Sequence, residues 1–323
     1  MKIPLILFAA FSFWLPSRLL SQQWERLVDL PRARGEHASF VHGDSIYVLG
    51  GIHDHKYGPY NIEKFDTNAL KWQDLGPWLN HRHHVSAGSA RHGDEIWICG
   101  GKPGDAQTGL KSVMVYNIEE NSWRSGPDLP GVVWGAPAVV LGDSLHVIGG
   151  ATGNHTTLNT HYVLDLTDED AGWKTAAPLP RPVVHHAGVT FQGQIWIIAG
   201  EIEHAHTGDR NWVQIYDPLS DSWKMGPPLP INRSHLEWST FVSGGMIWSI
   251  NGVDSSKPDG YRGQDEVYVY DPGIGKWQHW GLLPHNFCST GAKVVGDYLY
   301  IYGGGANDWF DGSLREVWRA RID

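Results

Sequence analysis

The sequence predicts an all-β fold, a six-bladed propeller closed by its own N-terminal strand, and three observations carry that prediction. A glycine pair or a near equivalent recurs at intervals of about fifty residues: Gly50-Gly51, Gly100-Gly101, Gly149-Gly150, Ala199-Gly200, Asn251-Gly252 and Gly303-Gly304. Each is preceded by a short apolar run, such as Ile46-Tyr47-Val48 or Ile195-Trp196-Ile197, the length of one strand. Downstream of five of the pairs comes an aromatic or leucine followed by Asp or Asn (Phe65-Asp66, Tyr116-Asn117, Leu164-Asp165, Tyr216-Asp217, Tyr270-Asp271), and then a tryptophan (Trp72, Trp123, Trp173, Trp223, Trp277). Six all-β repeats of this length bury their faces by stacking radially into a ring.

Taken in order, the chain begins with Met1-Lys2 and an apolar run from Ile3 to Leu15. That run is shorter than the ~20 residues a membrane-spanning helix needs and has the length of a signal-peptide core. Residues 1–21 are therefore expected to be a signal peptide, cleaved after Ser21, and residues 22–323 the propeller, giving a secreted or periplasmic protein with no membrane insertion after cleavage. Trp24 stands six residues ahead of Leu30-Pro31, as Trp123, Trp173, Trp223 and Trp277 stand ahead of their own Leu-Pro pairs. The last repeat stops at Glu316 to Arg321, its third strand, so Trp24 to Leu27 should supply the fourth and remove an exposed edge. The fullest repeat runs from His185 to Pro230, with Gly193 and Gln194 as the tight turn between its first two strands. Cys99 is expected to end the second strand of blade 2 and Cys288 to lie in the first strand of blade 6, too far apart in the ring for a disulfide.

Composition agrees. With 323 residues, 41% of them hydrophobic, the chain can fill one large core, and its 17 Trp and 39 Gly suit wedge-shaped gaps between sheets and sharp turns. A net charge of −10 without a Lys/Arg run argues against nucleic acid and anionic membranes as partners.

Antiparallel strand order puts the lead-in to each first strand and the loop after each second strand at one end of the ring. Most of the 18 histidines fall there, among them His37, His53, His84, His185, His186, His235 and His285, which marks that mouth as the place to look for a site. The densest loop, Glu201 to Arg210, offers His204, His206 and Asp209 as an imidazole/carboxylate metal set, for which Zn²⁺ or Mn²⁺ is the expected ion; solvated loop histidines are the competing explanation. Arg32, Arg82, Arg181 and Arg233, with His285, form a predicted column inside the mouth. They either grip an anionic ligand, helped by His84 and His235, or bridge blades through loop carbonyls.

The diglycine, the aromatic-Asp pair and the Trp before Leu-Pro resemble the kelch motif, over everything after about residue 24. Exported six-bladed kelch proteins resemble in turn the bacterial N-acetylneuraminate epimerases. That resemblance implies a Glu directly after the glycine that closes a second strand, with an Arg beyond it; Glu201 and Arg210 match, across a longer interval. It further implies acid–base chemistry with Glu201 or His186 moving a proton at the anomeric hydroxyl and Arg210 or Arg233 holding the sugar carboxylate. Two functions are thus expected to compete: a sugar epimerase or mutarotase acting on a carbohydrate or small anionic ligand, and a non-catalytic propeller binding a glycan or a protein partner.

Overall fold

The computed structural model describes residues 22–53, 61–78, 82–85, 88–103, 108–153, 155–203, 208–255, 263–306 and 312–322. Six antiparallel blades follow one another along the chain; in five the four main strands lie in sequential order, and the sixth takes its outer strand from the N-terminus. Blade 1 comprises Ala38–His42, Ser45–Leu49, Asn61–Asp66 and Lys71–Pro77; blade 4 comprises Ala187–Phe191, Gln194–Ile198, Val213–Asp217 and Ser222–Met225. The second strand of each blade is sandwiched between neighbouring sheets. It is consequently a continuous apolar run rather than an alternating one: four of the five residues of Gln194–Ile198 and all of Ser45–Leu49 are buried. Outer strands are mostly exposed, as in Ser222–Met225.

Tryptophans fasten one blade to the previous one. The indole N–H of Trp173 donates to Pro127 O (2.9 Å), that of Trp223 to Ala177 O (2.8 Å) and that of Trp277 to Pro227 O (3.0 Å). This explains why the aromatic recurs at a fixed place: the ring fills the wedge while its polar edge meets a carbonyl that would otherwise be left dry.

Closure follows the expected route. Glu25 pairs with Arg319 and Arg26 with Trp318, completing the sheet of Gly291–Val295, Tyr298–Tyr302 and Val317–Arg321. Leu27 N donates to Val317 O and Leu30 N to Arg315 O, both at 2.8 Å, and Trp24 Nε1 reaches back to Leu282 O of blade 5 (2.9 Å).

Two local expectations are corrected. Phe191 pairs with Gln194, so the turn residues are Gln192 (φ 50°) and Gly193 (φ 75°), one position earlier than predicted; both take the left-handed conformation that lets a two-residue hairpin follow strand twist. Cys288 ends the long outer strand of blade 5, Lys276–Cys288, because Phe287 and Cys288 pair with Ala306 and Gly305. Both cysteines are free and buried. The apolar segment proposed for export, residues 1–21, lies outside the described residues.

Candidate functional site

At the loop-rich end, every blade makes the same backbone gesture. Glu36 (φ 49°), His84 (53°), Gly135 (61°), His185 (52°), His235 (55°) and Ser289 (48°) each sit in the left-handed region on the way into a first strand. The residue before each forms an antiparallel bridge to the residue after the glycine pair: Gly35 with Ile52, His83 with Lys102, Trp134 with Ala151, Val184 with Glu201, Ser234 with Val253, Cys288 with Gly305. The pair itself is what allows this. The first position takes Ala199 or Asn251, but a Cβ on Gly200 would stand 2.6 Å from His186 Cβ and one on Gly304 2.6 Å from Cys288 O, so the second position is always glycine. Main-chain bonds then pass around the mouth: His185 N to Gly135 O (3.2 Å), His235 N to His185 O (3.0 Å), Glu36 N to Ser289 O (3.2 Å).

This register aims chemistry from four blades at one place. The His185 ring lies parallel to that of His235, with centroids 4.0 Å apart, and its Nδ1 is 3.0 Å from Glu237 Oε1. His235 Nδ1 meets the hydroxyl of Ser234 at 2.8 Å. One donor atom each from His185, Glu201 and His235 lie within 4.8 Å of one another, and the same holds for Glu36, His84 and His185, so His185 belongs to both groups. His84 Nδ1 is 3.6 Å from Glu36 Oε2 and contacts Nδ1 of His83. Lys102 places its ammonium 3.7 Å from the centre of the Trp134 ring. His84 and Glu237 are partly exposed as residues, although the Glu237 side chain is only 4% exposed, and the other mouth groups are buried.

Burial sets the charges. It pushes the Glu36 carboxyl up to about 8, the Glu237 carboxylate reinforcing the rise and Lys102 opposing it. Glu237 is raised to about 7, again by burial. The Lys102 ammonium is lowered by burial, Glu36 opposing. Carboxyls that resist ionising beside imidazoles are the kind of pairing that acid–base sites are made of.

Below the mouth runs the channel between the inner strands, a cavity of about 470 Å³ that Glu237 and Trp238 share with Ala90, Val139, Val189 and Lys293. Lys293 Nζ donates to Trp238 O (2.9 Å), and burial lowers its ammonium to about 7. Glu237 thus faces the channel and His185 at once.

Of the residues singled out from the sequence, Glu201, His84 and His235 come together here. Others do not. His186 is turned into the wall, where its Nε2 meets Ile148 O at 3.1 Å and burial lowers it to about 3; it is a neutral strut between blades 3 and 4, not a proton carrier at the mouth. The arginine column is shifted: Arg34, not Arg32, shares its register with Arg82 and Arg233, while Val133, Val183 and Phe287 take that position in the other blades. These guanidiniums brace their own blades, Arg34 to Gly50 O (3.2 Å), Arg82 to Gly100 O (3.2 Å) and Ser112 O (3.0 Å), Arg233 to Ser249 O (3.3 Å) and Glu266 O (3.5 Å). Arg34 also pairs with buried Glu63 at 2.8 Å. Arg32 and Arg181 are exposed, and Arg181 and Arg210 both lie over Trp212. Asp209 Oδ2 accepts from Ser255 N at 2.6 Å, tying two loops together. His285 pairs with Glu316 at 2.8 Å. His204 and His206 lie outside the described residues.

Sequence reasoning assigned no role to Glu36, Lys102, His185 or Glu237. The signal that could have found three of the mouth positions is Arg-Xaa-Glu/His, present as Arg34-Gly35-Glu36, Arg82-His83-His84 and Arg233-Ser234-His235.

Comparison with known proteins fits this architecture. The KLHDC2/KLHL20/DRC7 Kelch-repeats domain matches residues 88–304. The chain is 22% identical to Kelch-like protein 26 of Danio rerio over 88% of its own length and 46% of that protein. It is also 22% identical to Kelch repeat-containing protein At3g27220 of Arabidopsis thaliana, over 93% of this chain and 76% of that one. Kelch-like protein 23 of Homo sapiens is 24% identical, across 85% and 47%. The chain spans about half the length of these two Kelch-like relatives. The solved "Structure of YjhT" superposes with a TM-score of 0.74 at 16% identity, covering 90% of this chain and 95% of the other, a likeness of fold. With the domain matched over well more than half its length and the repeats visible as six blades, the chain belongs to the kelch-repeat family.

Proposed function

We propose that the protein binds a carbohydrate-type ligand at the mouth of the ring and acts on it as an acid–base isomerase of the epimerase or mutarotase kind. The observation that carries this reading is the convergence there of two imidazole–carboxyl pairs from different blades, His185 with Glu237 (3.0 Å) and His84 with Glu36 (3.6 Å). Anomerisation needs one general base and one general acid, and each pair offers a group for one of these roles. A base takes the proton of the anomeric hydroxyl while an acid gives one to the ring oxygen; the bond from C1 to the ring oxygen breaks as C1=O forms, and the steps reverse on the other face. The guanidiniums of Arg82 and Arg233 are engaged with main-chain carbonyls, which favours a neutral, hydroxyl-rich sugar over an acidic one. Exchange of anomers in a panel of reducing sugars, followed by NMR, should run faster than the solvent reaction and fall to background in Glu36→Gln and Glu237→Gln. Equal rates with and without protein across neutral and acidic sugars would sink the proposal.

A second reading, binding without turnover, is favoured by the burial of His185, His235 and Glu201, which leaves a ligand the rim to touch. A glycan or a protein partner bound at the rim with no exchange of anomers is its signature. In either case the apolar segment Ile3 to Leu15 supports export, and N-terminal sequencing of the mature protein should begin at Gln22.

A further inference from the structure

We infer that His185, His235 and Glu201 are the protein ligands of a divalent transition-metal centre at the channel mouth, distinct from the His204/His206/Asp209 set expected from the sequence. The inference rests on the mouth being the functional site and adds to it a cation.

Three features point to an ion. The first is the donor set itself: two imidazoles and a carboxylate, 1%, 2% and 0% exposed, with one donor atom of each inside 4.8 Å. Two histidines and a glutamate bind Zn²⁺ in hydrolytic enzymes, and two histidines with a carboxylate hold other first-row divalent ions. Around an ion at about 2.0–2.2 Å the donors sit roughly 3.3 Å apart, so the side chains close by up to about 1.5 Å, and the stacked rings of His185 and His235 tilt out of parallel about their terminal torsions to face one ion.

The second is how the rings are held. Nδ1 of His185 is engaged by Glu237, and Nδ1 of His235 by Ser234 Oγ, so in both rings Nε2 is the nitrogen turned to an ion. Metal-binding histidines characteristically hold their other ring nitrogen on a carboxylate or a neutral oxygen, which sets both tautomer and orientation.

The third is charge. Glu36 is 4% exposed and its Oε2 accepts no hydrogen bond among the described residues, although it belongs to the adjoining group with His84 and His185. The nearest donor to that oxygen, His84 Nδ1, stands 3.6 Å away, beyond hydrogen-bond reach, and a divalent ion close by would favour the ionised form of so poorly satisfied a carboxyl. Glu201 gains its place from the same backbone logic as the rest: it follows the glycine pair of blade 4, at the position where Lys102 follows that of blade 2. An ion so held would leave a coordination position towards Glu36 and His84, where vicinal sugar hydroxyls could bind.

The test uses the full mature protein, stripped with a chelator and titrated with Zn²⁺ by calorimetry, and with Co²⁺ by visible absorption. One ion per chain is expected, with d–d bands of a four- or five-coordinate site. His235→Ala and Glu201→Gln should abolish binding, and Glu237→Gln, which alters only the support of His185, should weaken it about 10- to 100-fold. His42→Ala should change nothing. His42 sits with Asp94 and Glu119 in a comparable but solvent-exposed group at the opposite end. Circular dichroism checks that each variant folds, and if His235→Ala does not, Glu237→Gln in the Co²⁺ spectrum decides. No stoichiometric binding to the wild type, undiminished binding in the folded His235→Ala or Glu237→Gln protein, or loss only in His42→Ala overturns the inference. Failure here and failure of the isomerase reading are separable: anomer exchange that survives chelation removes the metal alone, while one tight ion without exchange on any sugar removes the isomerase alone.

Discussion

Leu30 is the residue on which ring closure can be measured most cleanly. It is fully buried where the last blade meets the first, against Ile46, Val48, Phe65, Tyr300, Tyr302 and Val317. Its main chain is held on both sides, N–H to Arg315 O (2.8 Å) and O from Arg315 Nε (2.7 Å), so the backbone cannot follow a shrinking side chain inwards. Leu30→Ala therefore leaves most of its void open. Buried leucine-to-alanine changes cost about 2–5 kcal/mol, and a site that cannot collapse lies in the middle of that range or above it, about 3–4 kcal/mol. For a domain of about 300 residues that lowers Tm by roughly 5–6 °C. Leu219, 97% exposed on an outer turn, is the matched control, and Leu219→Ala should stay within about 0.5 kcal/mol of the wild type. Calorimetric melting of both variants decides. If Leu30→Ala melts within 2 °C of Leu219→Ala, or if a chain beginning at residue 31 melts with the full mature protein, then the N-terminal segment does not fasten the ring.

Other outcomes follow from the same contacts. His146 and His161 meet at 2.8 Å inside blade 3, and burial lowers them to about 3 and about 4; the unfolded chain takes protons first, so stability is complete above pH 6.5 and declines below it. The pair should cost about 2–4 kcal/mol between pH 7 and pH 5, and urea midpoints should show a flatter pH dependence in His146→Leu/His161→Phe; an unchanged slope would exclude it as a source of acid lability. Arg233→Ala strips the donor from Ser249 O and Glu266 O and should cost about 3 kcal/mol, whereas Arg181→Ala, at the surface, should cost almost nothing; equal melting temperatures would return Arg233 to the list of ligand-facing groups. Cys99, its thiol pushed up to about 12 by burial, should resist iodoacetamide in the native state, and neither cysteine should give a reductant-dependent gel shift; such a shift would contradict the free thiols.

The ring was legible because its determinants are local and repeated. A glycine pair, an apolar run and a tryptophan lie within one blade, and six copies average out departures such as Ala199 or Asn251. The site is another matter, since the residues that pair in it come from different blades, about fifty positions apart, and meet through register. Glu201 is found because it adjoins a glycine pair, and His84 and His235 because they stand in lead-ins at the end of the ring where most histidines fall. Glu36 and Glu237 were passed over because nothing beside them in sequence shows that His84 and His185 will lie against them. Arginine register failed for a related reason. Aligning the lead-ins on the downstream apolar strand selects Arg32 and Arg181, whereas the left-handed residue two positions after each bracing arginine is the true marker, and it selects Arg34 and leaves Val183 in blade 4.

That left-handed position has an evolutionary consequence. The hydrogen bonds around the mouth are made by main chain, so the six positions behave as interchangeable sockets in which side chains can be exchanged without redrawing the ring. Five of them hold a residue other than glycine, each at a conformational cost of about 1 kcal/mol. The sixth holds Gly135, where a Cβ would stand 2.8 Å from Val184 Cγ2, and its bareness is what leaves Val184, the neighbour of His185, room. A lineage that let the other five drift towards glycine would gain a sturdier scaffold and surrender its chemistry. In this chain Glu36, His84, His185 and His235 stand at that cost, where glycine would be the cheaper residue.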